Sequence, residues 1–269
     1  MEQTAPNIDP ASGLINQRTS MEHFDLIRVA PSQALEPFVE NYWIILWDLS
    51  SKPDYVQANL PHPNINLVVD PFGQTGIFGT QLKKFTYRLS GTGRIFGVKF
   101  RAGAFYSFFG SPIKELMDMH IGIEKVFATS DMSLENKFLQ VNDPMHFINP
   151  IEQMLLRQNP IMDPNAQTAR HLVDVISNTR SIARVNELAK IAQLSERSLQ
   201  RLFDTYIGVS PKWVIDRYRM LAAVDEINRG EKTNLTDLAH RLGYFDSAHF
   251  GRAFKNLTGL SPSSLLTQS

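Results

Sequence analysis

Two stretches of the C-terminal third decide the fold: Glu187–Pro211, ELAKIAQLSERSLQRLFDTYIGVSP, and Asp237–Pro262, DLAHRLGYFDSAHFGRAFKNLTGLSP. Laid over each other with one extra residue at Phe245, they coincide at Leu188/Leu238, Ala189/Ala239, Arg201/Arg252, Phe203/Phe254, Gly208/Gly259, Ser210/Ser261 and Pro211/Pro262. Identity at that many positions marks an internal repeat of about fifty residues. Each copy reads as a short helix, a sharp turn, a longer helix, a glycine stop and a Ser-Pro restart.

In the first copy Leu188, Ala189 and Ala192 share one face of a short helix, and the small alanines let a second helix approach. Ser195 is placed to cap that second helix, its hydroxyl accepting from an orphan N–H two or three residues on. Leu199, Leu202, Phe203 and Tyr206 then recur at helical steps as one buried stripe. Gly208 supplies a left-handed stop, and Pro211 opens the next helix, where its missing N–H does no harm. The second copy repeats the plan with Asp246 as cap, Phe250, Ala253, Phe254 and Leu257 as stripe, and Gly259 as stop. This is helix-turn-helix architecture twice over.

Between the copies, Pro211–Arg229 carries Val214, Tyr218, Leu221, Val224 and Ile227 at helical spacing, and Gly230 ends the run. A helix of that length rises ~1.5 Å per residue and spans about 28 Å. Successive major-groove windows on one DNA face lie ~34 Å apart, so a rigid connector of this size holds two heads near groove spacing.

The outward faces carry the chemistry. Opposite the first stripe lie Arg197, Gln200, Arg201 and Asp204. A guanidinium fork matches the O6/N7 acceptors of guanine, and a Gln amide matches the N6/N7 edge of adenine. The bland alternative is a solvated polar face, which the repeat makes the weaker reading. Asp204 would repel phosphate, so it is expected to orient Arg201 or Arg197 or to face away. The second head presents Ser247, Ala248, His249, Gly251, Arg252 and Lys255. Ala248 and Gly251 offer no side-chain hydrogen bond but permit close backbone approach. This head is therefore expected chiefly to hold phosphate through Arg252, Lys255 and its helix N-terminus, with Ser247, His249 and DNA shape adding specificity. Packing of His249 against a neighbouring helix stays an equal alternative.

Charge supports a division of labour. Lys+Arg and Asp+Glu both total 27, yet residues 1–164 hold 13 basic and 17 acidic side chains and residues 165–269 hold 14 and 10. The modest basic excess sits with the helix-turn-helix units. Cysteine is absent, which excludes a disulfide framework, a zinc-thiolate site and a thiol nucleophile. The longest apolar run is the six residues Tyr42–Trp47, far short of the ~20 that cross a bilayer. The first twenty residues carry no apolar core with basic flanks, so no secretory signal is expected.

LSERSLQRLFDTYIGVSPKWV and LAHRLGYFDSAHFGRAFKNLTGLSPSSL resemble the two helix-turn-helix units of the AraC/XylS family of bacterial transcription regulators. The most specific part is G-Y-F-D-S-A-H-F-G-R-A-F-K followed by G-L-S-P, and the likeness covers about the last 95 residues. It implies an all-α, homeodomain-like domain whose two recognition helices enter successive major grooves of double-stranded DNA. Base reading would fall to Arg197, Gln200 and Arg201 in the first unit and to Ser247, Ala248, His249 and Arg252 in the second, with Ser195 and Lys255 on phosphate. Ala248 stands where relatives also carry larger polar side chains, which weakens its base contact. Relatives that accept methyl groups from phosphotriesters need a metal-bound cysteine, so that repair chemistry is excluded. The resemblance also implies a bacterial, cytoplasmic, nucleoid-associated protein with no cofactor, no metal and no catalytic residue. Its partners would include RNA polymerase if it activates, a small-molecule or protein effector, and a second copy of the chain.

The N-terminal part reads as α+β. Strands are expected at Tyr42–Asp48, Ile65–Asp70, Thr86–Leu89 and Arg94–Arg101, between turns such as PHPN, PFGQTG and GTGR. Helices are expected at Ala104–Phe109, Ile113–Met117, Ser133–Leu139 and Ile148–Gln158. LPHPNINLVVD, GRIFGVKFRAGAFYSFFG and SPIKEL resemble an uncharacterised domain that precedes this reader in other family members, for which a cupin-like partial barrel is the expected shape. Its position implies effector sensing or dimerisation, by analogy of fold alone. Of the 17 phenylalanines, 13 precede residue 165, and sandwich core is the favoured reading over an aromatic effector pocket. His23, His62, His120 and His146 are too scattered for a metal-binding cupin. Arg94, Lys99 and Arg101 read as a solvated edge, with an acidic ligand as the alternative. GTGR lacks phosphate-loop spacing and reads as a hairpin turn, and no G-x-S-x-G nucleophile elbow is present.

The expected organisation is a flexible tail over 1–20, a sensory or dimerisation domain over 21–158, a Pro-rich linker over 159–165 and the double helix-turn-helix domain over 166–269. A cupin-like enzyme or a protein-interaction domain tethered to the DNA-binding module is the competing organisation.

Overall fold

The alternation along Val39–Asp48 (VENYWIILWD) builds the N-terminal half, because every second side chain goes to an opposite side of the strand. In this computed structural model, which describes residues 14, 15, 17–179, 182–228 and 234–268, a short helix α1 (Gln17–Ser20) leads into eight strands. They are β1 (Asp25–Val29), β2 (Val39–Asp48), β3 (Tyr55–Asn59), β4 (Asn66–Val69), β5 (Gly76–Phe78), β6 (Phe85–Leu89), β7 (Thr92–Phe100) and β8 (His120–Ile121). Six form an antiparallel sheet in the order β1-β2-β7-β4-β5-β8, and β3 pairs with β6 as a separate ribbon. The sheet does not close.

Both faces of the sheet are covered. Tyr42, Ile44, Leu67, Val69, Phe96 and Val98 pack on one side against Phe105, Phe138, Phe147, Ile151 and Leu155 from the helices that follow. Those helices are α2 (Tyr106–Phe109), a 3-10 turn at Ile113–Leu116, α3 (Asp131–Gln140) and α4 (Ile148–Leu156). On the other side Trp47 and Ile95 pack with Phe24, Leu49 and Leu89, joined by Trp43, Ile45, Tyr55 and Tyr87. Here the two tryptophans lie across glycines of β7. A Cβ at Gly97 would meet the Trp43 ring at 1.9 Å, and one at Gly93 the Trp47 ring at 2.1 Å.

The four expected strands are present with shifted ends, and four further strands were not legible. β5 and β8 have three and two residues, too short to show a period, and β8 lies inside the span expected to be helical. β1 carries Asp25 and Arg28 on the sheet edge. β3 pairs with β6, about thirty residues away. The GTGR turn is left-handed at Gly91 (φ +57) but joins β6 to β7, which lie in different sheets, so it is not a hairpin turn. β7 lies between β2 and β4, not on an edge. Arg94 donates to the Val141 and Leu139 carbonyls at 2.8 and 2.7 Å, Arg101 donates to the Glu36 carbonyl at 2.7 Å, and Lys99 pairs with Glu40 at 2.7 Å.

Of the tail expected over 1–20, residues 1–13 and 16 lie outside the described residues. Leu14 bridges to Asn59, and Ile15 is buried among Leu60, Met220, Leu221 and Val224. Within the segment read as a linker, Asp163 caps α5 (Pro164–Asn178) by accepting from the Asn165 N–H at 2.7 Å.

The C-terminal half is helical throughout: α5, α6 (Val185–Ala192), α7 (Glu196–Tyr206), α8 (Pro211–Asn228), α9 (Leu235–Arg241), α10 (Ser247–Thr258) and α11 (Pro262–Gln268). Arg229 and Gly230, the expected end of α8, lie outside the described residues. Helix α8 belongs to two cores. Val214 and Ile215 pack with Leu188, Leu199 and Phe203, whereas Met220, Leu221, Ala223, Val224 and Ile227 pack with Leu238, Phe250, Phe254 and Leu265.

The glycine stops differ from the helical glycine. Gly208 sits at φ +90 and a Cβ there would be 2.8 Å from Ile113 Cγ2, while a Cβ at Gly251, inside α10, would meet nothing within 4 Å. Gly208→Ala is expected to destabilise the chain by roughly 1–3 kcal/mol through left-handed strain and crowding. Gly251→Ala is expected to stabilise it by about 0.5–1 kcal/mol through helix propensity. Urea denaturation of the two variants beside the parent checks both signs.

Candidate nucleic-acid interface

Each reading helix is held at its start by the residue that the sequence nominates. Ser195 Oγ accepts from the Ser198 N–H at 3.1 Å, and Asp246 Oδ1 from the His249 N–H at 2.6 Å. The turn before α7 is left-handed at Gln193 (φ +53). Ahead of α6, the Glu187 carboxylate accepts from the Ala183 and Arg184 N–H groups at 2.8 and 3.0 Å, and these two bonds hold it below the usual carboxylate range. Of the expected stripes, Leu199, Phe203 and Tyr206 under α7 and Phe250 and Phe254 under α10 are buried, while Leu202, Ala253 and Leu257 are half-buried.

The opposite faces point to solvent. Arg197 and Arg201 are exposed on α7, as are Ser247, Ala248, His249, Arg252 and Lys255 on and around α10. His249 is exposed and also meets Tyr244 edge-on at 5.3 Å between ring centroids, so both of its readings have a geometric basis. Gln200 is half-buried and donates to Asp204 Oδ1 at 2.8 Å. The other oxygen of Asp204 pairs with Lys114 at 2.9 Å. Asp204 therefore orients Gln200 rather than Arg197 or Arg201, because a lysine from the N-terminal half draws it to that side of α7. Ser195 is exposed, and its hydroxyl also donates to Ser198 Oγ at 2.9 Å.

Sequence reasoning passed over several residues here. Phe245, the residue inserted in the second copy, is 87% exposed just ahead of α10. Lys114 and Lys84 belong to the N-terminal half, yet each reaches the last turn of a reading helix. Lys84 Nζ donates to the Thr258 carbonyl at 2.9 Å, beside left-handed Gly259. Arg217 of α8 donates to the Leu82 carbonyl at 2.8 Å with its guanidinium 4.6 Å from the Trp213 ring centroid. Burial lowers its pKa to about 10, which leaves it charged at neutral pH. The contacts of Lys114, Lys84 and Arg217 with Asp204, Thr258 and Leu82 have no local signal, because each joins residues 90 or more positions apart.

The N-terminal half carries a half-open cavity of about 460 Å³. Trp43, Ile45, Val68 and Ile95 of the sheet form one wall, Phe85 and Leu89 of the ribbon another, and Gly79 and Gln81 lie along the segment that leads to Lys84. Amide side chains enter from Asn41, Asn59, Asn64 and Asn66. Asn41 is 4% exposed, and its Oδ1 has no hydrogen-bond partner among the described residues, an arrangement that costs free energy until a donor arrives. The phenylalanines thus divide: most form the core between sheet and helices, while Phe24, Phe78 and Phe85 line the cavity. Among the described residues no group of three or more His, Asp or Glu side chains converges to hold a metal. No helix of the described residues is long and apolar enough to cross a membrane.

Residues 27–122 match a domain of unknown function (DUF6597), and residues 188–268 match a helix-turn-helix domain. Among curated relatives, an uncharacterised HTH-type transcriptional regulator of Haemophilus influenzae is 29% identical over 116 residues, 42% of this chain and 38% of that protein. The Msm operon regulatory protein of Streptococcus mutans is 27% identical over 144 residues, 51% of this chain and 50% of that one. The chain therefore spans half or less of the length of these relatives. A crystal structure of a probable AraC family transcriptional regulator from Rhodopseudomonas palustris superposes with a TM-score of 0.34 at 23% identity, covering 38% of this chain and 96% of that one. The last third of the chain, two capped helix-turn-helix units on one connecting helix, thus coincides with the matched helix-turn-helix domain, and a domain of unknown function precedes it.

Proposed function

We propose that the chain is a sequence-specific DNA-binding transcription regulator whose two reading helices enter successive major grooves and whose N-terminal domain senses a small molecule. The observation that carries the DNA reading is the pair of capped helices, α7 and α10, each with its apolar stripe buried and its cationic, hydrogen-bonding face open to solvent. Helix α8, with 18 residues rising ~1.5 Å each, is about 27 Å long and packs its first half into one unit and its second half into the other. In this reading Arg197, Gln200 and Arg201 read base edges from α7. Ser247, Ala248, His249 and Arg252 face bases from α10, while Ser195 and Lys255 hold phosphate.

The sensing role rests on the cavity, which Trp43, Phe85 and the amide-bearing Asn41, Asn59 and Asn66 line. A ligand with a flat apolar face for Trp43 and polar groups for the amides fits that lining. On this reading the protein works in the bacterial cytoplasm, at the nucleoid. Its partners are double-stranded DNA, the cavity ligand and a second copy of the chain, with RNA polymerase added where it activates.

Selection of bound duplexes from random DNA is expected to return a bipartite motif with ~10 bp periodicity. On that motif, Gln200→Ala or Arg201→Ala should cost ~1–3 kcal/mol at one base step and relax the preference there. Equal weakening on every sequence would make the two side chains phosphate clamps. Lys255→Ala should weaken binding to all sequences and reduce the salt slope by about one, and an unchanged slope removes Lys255 from the contacts. In thermal-shift screening of the full chain against metabolites, a ligand at 100 times its Kd should add about 2.7 kcal/mol of stability. Asn41→Leu should abolish that shift, and a ligand whose shift survives the substitution binds elsewhere.

A further inference from the structure

We infer that Lys114, a residue of the N-terminal domain, is a positioning residue for base reading by α7: it holds Asp204, which in turn fixes the Gln200 amide. The inference rests on the DNA-reading assignment and deepens it by placing one determinant of specificity outside the helix-turn-helix domain.

Two contacts form the chain of support. Lys114 Nζ meets Asp204 Oδ2 at 2.9 Å, and Asp204 Oδ1 accepts from Gln200 Nε2 at 2.8 Å. Gln200 is half-buried, whereas Arg197 and Arg201 beside it on α7 are exposed. A Gln amide carries two N–H donors and one carbonyl acceptor. With one N–H given to Asp204, the other N–H and the carbonyl oxygen remain, which is the pair that matches adenine N7 and N6. The relay therefore leaves Gln200 competent to read and removes the rotamers in which it is not.

The position of Lys114 is itself fixed. Ile113, its neighbour, is buried against Gly208 at the end of α7, so closely that a Cβ at Gly208 would lie 2.8 Å from Ile113 Cγ2. The same end of α7 is seated on the N-terminal half by the Tyr106 and Tyr206 rings, 4.7 Å apart, and by the Tyr206 hydroxyl donating to Asp163 at 3.1 Å. Lys114 is thus delivered to Asp204 by packing that does not depend on the ion pair. Its charge also offsets a carboxylate that would otherwise stand beside the phosphate backbone. An i,i+4 hydrogen bond on a helix face is common and weak alone. The distinguishing feature is its third member, contributed by another domain.

The test uses the full chain on its selected duplex and on a duplex changed at the one base pair that Gln200→Ala identifies. Lys114→Met is expected to reduce discrimination between the two by about two- to five-fold, the range of an exposed ion pair. Lys114→Arg is expected to restore it, since it keeps the charge. In the Gln200→Ala background, Lys114→Met should leave discrimination at that pair unchanged. Unchanged discrimination in Lys114→Met alone overturns the relay, as does an equal loss in the Gln200→Ala background. If Gln200→Ala moves discrimination at no base pair, the base-reading assignment of Gln200 fails and the relay with it. Retained preference at all pairs with only weaker overall binding by Lys114→Met makes Lys114 a phosphate contact and also overturns the relay.

Discussion

Everything in the C-terminal half is referred to one buried helix. Along α8, Pro211, Val214, Ile215, Arg217, Arg219, Met220, Leu221, Ala223, Val224 and Ile227 are all buried, so the helix is covered on nearly every side. One end supplies the core of the first helix-turn-helix unit and the other end the core of the second. Because protein cores are close-packed, a helix shared between two of them leaves little freedom to rotate either unit alone. The separation and mutual orientation of α7 and α10 follow from that sharing. Two arginines lie inside it with carbonyl and aromatic partners: Arg219 with Leu242 and Tyr244, and Arg217 with Leu82 and Trp213, although Nε and Nη1 of Arg217 are buried without an acceptor among the described residues.

The N-terminal domain acts on the same frame from outside. Its segment around Leu82 and Lys84 touches α8 and the end of α10, and its turn at Ile113 and Lys114 touches the end of α7. Gly79 and Gln81, a few residues before Lys84, line the cavity. His62, also at the cavity, meets Tyr218 of α8 with ring centroids 6.4 Å apart. One wall of the cavity is thus continuous with residues that contact α8 and the end of α10.

The helical half was largely legible because its determinants are local. A cap, a stripe at steps of three and four, and a glycine stop act within a dozen residues. Ser195, Leu199, Phe203 and Gly208 behave in the structure as their spacing predicts. The expected single stripe on α8 was incomplete for the opposite reason. Ile215, Arg217, Arg219 and Ala223 lie off that stripe and are buried because a second surface packs on them, which no period along one helix can announce. Among the strands, β2, β4, β6 and β7 carry enough apolar alternation to be seen, while β5 and β8 are too short to show a period and β3 and β8 depend on partners from strands 26 or more residues away.

By itself the sequence determined that there are two helix-turn-helix units, where their caps and stops lie, and that Arg197, Arg201, Ser247, His249, Arg252 and Lys255 turn outward, since hydrogen-bonding caps and hydrophobic periodicity are properties of neighbouring residues. Tertiary structure alone decided that Asp204 serves Gln200 and Lys114, that Asn41 is buried with an unpaired oxygen, and that the sheet and ribbon leave a cavity between them. Those outcomes depend on which surfaces meet across 90 or more residues for the lysine and on strand pairing for the cavity, and the free energy of such meetings is set by packing in three dimensions.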